Sequence, residues 1–83
     1  MTESQIEKKF SALVKSRGGL CLKFVSPGCK GVPDRLILMP GSKMYFAEIK
    51  TAKGKLSEIQ KYRIQQIESL GFEVKIIIEE NIK

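Results

Sequence analysis

The chain has 83 residues, with 15 Lys and Arg against 9 Asp and Glu and no histidine, for a net charge of +6. That length allows one domain, residues 1–83, and makes a large internal cofactor cavity improbable, so an active site is expected in a surface cleft. No apolar run approaches the ~20 residues of a membrane span, and Met1 to Gln5 carries no basic-then-apolar leader pattern, so the cytoplasm is the expected compartment.

Ile6, Phe10, Leu13 and Val14 recur at helical spacing and predict a helix over residues 3–17, opened by the capping pair Thr2 and Gln5 and stopped by Gly18-Gly19. Residues 20–25 read as a strand. Residues 26–33 hold two Pro and two Gly and read as a loop. Residues 35–39 and 43–50 read as a hairpin around Pro40-Gly41-Ser42. The second of these strands is apolar on both faces until its end, so it is expected at the centre of the sheet. Thr51 to Lys55 is a basic loop. Ser57 and Gln60 form a second capping pair, opening a helix over 58–70 with Leu56, Ile59, Ile67 and Leu70 on its apolar side. Residues 74–78 read as the last strand, and 79–83 carry no clear signal. The order αβββαβ predicts an α/β fold in which a mixed four-stranded sheet is flanked by helices. The strand–helix–strand crossover makes the last strand parallel to its neighbour.

Without histidine or a third thiol beside Cys21 and Cys29, a zinc site is nearly excluded, and two reduced thiols are expected. Catalysis must then run on carboxylates, lysines and perhaps a metal bound through oxygen. The positive charge favours a polyanionic partner, nucleic acid first. Glu48 and Lys50 share a face at the end of the central strand. The hairpin brings Asp34 across from somewhere between them. Two carboxylates that close repel unless a cation sits between them, which suits Mg²⁺ or Mn²⁺. A third acid can come from the first helix, where Glu7 and Glu3 lie one turn apart.

Pro33-Asp34 followed by Glu48-Ile49-Lys50 matches the PD-(D/E)XK pattern. With Gly31-Val32-Pro33-Asp34-Arg35, Phe46 to Thr51, Gly54-Lys55-Leu56-Ser57, Gln60 and Gly71 to Val74, the chain resembles a stand-alone VRR-NUC domain, the virus-type replication-repair nuclease, from about residue 3 to residue 78. The resemblance implies a restriction-endonuclease-like core. It also implies Asp34, Glu48 and Glu7 as metal-binding acids, with the Ile49 backbone carbonyl as a further ligand and Glu3 in reserve for Glu7. Lys50 is implied as catalytic, stabilising phosphate charge and positioning the attacking water. Gln60 is implied as a signature residue, a role compatible with capping. The cofactor would be Mg²⁺ or Mn²⁺, one ion or two.

The expected function is a metal-dependent endonuclease that hydrolyses DNA, selective for branched forms such as four-way junctions or flaps, in replication, repair or recombination. Lys30, Lys53 and Lys55 are the expected phosphate contacts. A homodimer is expected because stand-alone members resemble junction resolvases, with no membrane association and, for a phage-encoded chain, the host cytoplasm as its place. The alternatives are a non-catalytic nucleic-acid-binding module on the same fold and a protein-interaction domain.

Overall fold

The computed structural model describes residues 1–82. Helix α1 spans Glu3–Ser16, strand β1 Leu20–Lys23, β2 Arg35–Met39, β3 Lys43–Ile49, helix α2 Glu58–Ser69 and β4 Val74–Ile77, followed by a 3₁₀ turn, η1, over Glu79–Ile82. The sheet order is β1-β2-β3-β4. The first two pairings are antiparallel and the β3–β4 pairing is parallel. The expected αβββαβ order and mixed sheet are therefore present, with β3 as a central strand.

The core lies on one face of the sheet. Ile6, Phe10 and Val14, four residues apart on α1, pack onto Ile37, Ala47, Ile49 and Ile77, which alternate along β2, β3 and β4. Burying side chains of this size stabilises by roughly 1.5–3 kcal/mol each. Helix α1 ends as Gly18 takes φ 83°, a left-handed position that suits glycine past a helix end.

The other face carries α2, and the packing there is looser. No α2 residue is buried. Ile59 and Leu70, two of its expected apolar anchors, stay largely exposed, so the expected apolar side of α2 is only partly used. Leu20, Leu22 and Leu38 on β1 and β2 are exposed as well. The helix packs on the β4 side and is too short to cover four strands, so this face of β1 and β2 is left open.

The C-terminal segment, where the sequence carries no clear signal, holds a further element. Residues 79–82 form the 3₁₀ turn, with Ile82 packed against the core and Asn81 Oδ1 accepting from the Ile78 amide at 2.7 Å. A four-residue turn has no periodicity to detect, and its stability comes from tertiary packing on α1.

Candidate active site

The site forms where β2 begins and β3 ends. The register pairs Arg35 with Ala47, so one step further Asp34 stands across from Glu48, on the face opposite the core. Proline at 33 removes one ladder donor there. The amides of Phe46 and Lys50 point to β4, donating to Glu73 and Ile77, so those of the odd residues between them point to β2. The register sets Pro33 opposite Ile49, and Pro33 has no N–H to give. Pro33 therefore leaves the Ile49 carbonyl without its ladder donor, while the Ile49 amide donates to Asp34 Oδ1 at 3.3 Å.

Glu48 is buried, with 5% of its surface exposed, and Asp34 is half-buried. Gln60 Nε2 donates to Glu48 Oε2 at 3.3 Å, and Lys50 Nζ lies 3.8 Å from the same oxygen. Gln60 also completes the cap of α2. Its Oε1 accepts from the Ser57 amide at 2.9 Å while its own amide donates to Ser57 Oγ at 3.2 Å. One side chain therefore starts the helix and tethers it to the acid.

Burial pushes the Glu48 carboxyl up to about 7; the Asp34 charge adds to this and Lys50 opposes it. Burial also raises Asp34, while the Ile49 amide and Arg35 pull it down. The two acids together hold a proton more tightly than isolated carboxyls do, which is the state of a site with surplus negative charge. A hard divalent cation fits that surplus: two carboxylates, the Ile49 carbonyl and exchangeable oxygens suit Mg²⁺ or Mn²⁺. Among the described residues no three His, Cys, Asp or Glu side chains converge into an all-protein cage.

The helix-one acids divide. Glu7 Oε2 lies 2.6 Å from Arg35 Nη2, on the core side of the sheet. Glu3, exposed in the first turn of α1, is the helix-one acid whose charge both Asp34 and Glu48 feel. Sequence reasoning missed Arg35. The available signal was a charge at a core-facing position of the apolar strand Arg35–Met39, which requires a partner.

Two loops rim the site. Gly31 takes φ 83°, and a Cβ there would come within 2.6 Å of the Ile59 carbonyl oxygen, so only glycine lets the loop before Asp34 lie against α2. Arg63 Nε clamps the same loop by donating to the Lys30 carbonyl at 3.0 Å. The basic loop folds as a turn, the Gly54 amide donating to the Thr51 carbonyl at 2.9 Å. Lys30, Lys53 and Lys55 are exposed on these loops and form no ion pair among the described residues. Cys21 and Cys29 are free thiols.

No family model matches the chain. It is 36% identical over 80 residues to the protein named "Putative nuclease p44" of Acyrthosiphon pisum secondary endosymbiont phage 1, covering 96% of this chain and 86% of that one. A solved structure described as a VRR_NUC domain superposes with a TM-score of 0.85 at 25% identity, covering 92% of this chain and 82% of that one.

Proposed function

The chain belongs to the VRR-NUC family of nucleases, and from that premise we propose a metal-dependent endonuclease that hydrolyses phosphodiester bonds in DNA. The observation that carries this reading is the pair Asp34 and Glu48, opposed at the end of a sheet with Lys50 on the same face. Asp34, Glu48 and the Ile49 carbonyl would hold the cation, with Glu3 as the helix-one acid whose charge reaches them. When bound, Mg²⁺ or Mn²⁺ supplies neutralising charge and Lewis acidity towards the phosphate. The Lys50 ammonium stabilises charge that develops on phosphate oxygens and helps position the attacking water. Gln60 holds the Glu48 carboxylate, and the Ile49 amide holds that of Asp34, so neither acid has to reorganise.

Lys30, Lys53 and Lys55 are assigned to phosphate contacts on either side of the acids. Removing one lowers the salt slope of duplex binding by about 0.9. Selectivity for branched DNA and a homodimer are part of the same proposal. Support for a second copy comes from the exposed Leu20, Leu22 and Leu38 on the open sheet face, since apolar side chains clustered at a surface favour association. The phage origin of the related nuclease supports action in a host cytoplasm, and among the described residues no helix is long and apolar enough to cross a membrane.

The test is a panel of plasmid, flap and four-way-junction DNAs with Mg²⁺, Mn²⁺ or chelator, run beside a mass measurement in solution. Cleavage that needs the cation and disappears in Asp34→Ala, Glu48→Ala and Lys50→Ala is expected. DNA binding without cleavage, unchanged by chelator and improved by Asp34→Asn, points instead to the non-catalytic module.

A further inference from the structure

Among the described residues, Arg35 is the one charged residue buried on the core side of the sheet, with 8% of its surface exposed. Its guanidinium makes two directed contacts. Nη2 pairs with Glu7 Oε2 of α1 at 2.6 Å, and Nη1 donates to the Asp34 backbone carbonyl at 2.8 Å. That carbonyl also accepts from the Phe24 amide at 2.9 Å. Asp34 is thus held at both ends: two donors grip its carbonyl, and the Ile49 amide grips its carboxylate. Glu7, by contrast, faces Arg35, on the side of the sheet away from the Asp34 and Glu48 carboxylates.

We infer that Glu7 serves the site through Arg35, as a positioning residue rather than a cation ligand. The Glu7–Arg35 pair is a clamp that ties α1 to the Asp34 peptide and aims the Asp34 carboxylate at the Ile49 amide and Glu48. A buried guanidinium left without its carboxylate would turn or draw in water. The Asp34 carbonyl would then lose one of its two donors. Glu7 is partly exposed, so the isosteric Glu7→Gln keeps its packing and removes only the charge. The clamp rests on the reading of Asp34 as a site carboxylate, and two of its three readouts do not need cleavage.

The experiment compares wild type, Glu7→Gln, Arg35→Lys and the double variant. Amide exchange by NMR reads the clamp directly. Glu7→Gln should speed exchange at the Ile49 amide about tenfold while leaving the core amide of Ile37 unchanged. Direct Mn²⁺ titration, followed by the electron paramagnetic resonance of the free ion, should show affinity within about threefold of wild type in Glu7→Gln and lost in Glu48→Gln. The DNA cleavage rate should fall about tenfold in each single variant, with the DNA KM unchanged, and no further in the double variant, because one clamp is broken once. Unchanged Ile49 exchange overturns the clamp. So does Mn²⁺ binding weakened more than tenfold by Glu7→Gln in both the wild-type and Arg35→Lys backgrounds, which would make Glu7 a ligand. A wild-type protein that cleaves no DNA defeats the proposed function, while the exchange readout still decides the clamp.

Discussion

Helices α1 and α2 begin with the same device and do opposite work. Each opens with a reciprocal cap, Thr2 with Gln5 in one and Ser57 with Gln60 in the other. Beyond the cap, α1 buries Ile6, Phe10 and Val14, whereas α2 buries nothing. Among the described residues the glutamine of the first cap bonds only within it, while Gln60 also reaches Glu48. Stability is therefore concentrated on one face of the sheet and the acids on the other. The division has a physical reason: two close carboxylates cost stability wherever they sit, and the face with the thinner cover is where phosphate oxygens and water can reach them.

Substitutions on the two faces should separate activity from stability. The largest effect is expected for Asp34→Asn and Glu48→Gln, each lowering cleavage by about a thousandfold or more in a DNA assay. Unfolding by urea should show these variants no less stable than wild type without metal, since each removes one of two close carboxylates, buried at Glu48 and half-buried at Asp34. Phe10→Ala on the opposite face should do the reverse, costing about 3–5 kcal/mol in the same unfolding experiment. Ile67→Ala on α2 should cost less, because Ile67 is only half-buried.

The pH dependence follows from Glu48. Its folded carboxyl sits near 7, above the ordinary 4.5, so the folded state binds the proton more tightly than the unfolded chain. The stability this contributes is present below pH 4.5 and is lost as pH rises through about 7. Metal-free protein should accordingly melt higher at pH 5 than at pH 8 by this contribution. Glu48→Gln should flatten the difference in a thermal scan. Mn²⁺ affinity should move the other way and weaken below about pH 7 as the carboxyl takes up a proton.

The smallest effects compare the two caps. Gln5→Ala and Gln60→Ala should each cost about 0.5–1 kcal/mol of stability, read by urea unfolding. Only Gln60→Ala should also slow cleavage, because only that amide touches an acid. Equal activity in the two variants would place Gln60 in the cap alone.

Most of the fold was legible because local patterns and tertiary demands agree. The spacing of Ile6, Phe10 and Val14, the two capping pairs and the turn at Pro40-Gly41-Ser42 each specify an element without knowledge of the others. The juxtaposition of Asp34 with Glu48 was legible too, since a short hairpin constrains its own register. Less legible were features that depend on contacts distant in sequence. The turn at 79–82 exists because Ile82 finds the core, and the exposure of Ile59 and Leu70 depends on how much sheet one helix can cover.

The sequence by itself determined the αβββαβ order, the central position of β3 and the convergence of Asp34, Glu48 and Lys50, because alternation and hairpin geometry are local rules. Only the tertiary structure decided what each neighbouring group does. Pro33 opposite Ile49 leaves that carbonyl without a donor, the Ile49 amide meets Asp34, Gln60 reaches from its cap to Glu48, and Arg35 takes Glu7 on the far side of the sheet. Those outcomes depend on side chains from separate elements meeting within a few ångströms, and spacing along one chain does not encode such distances.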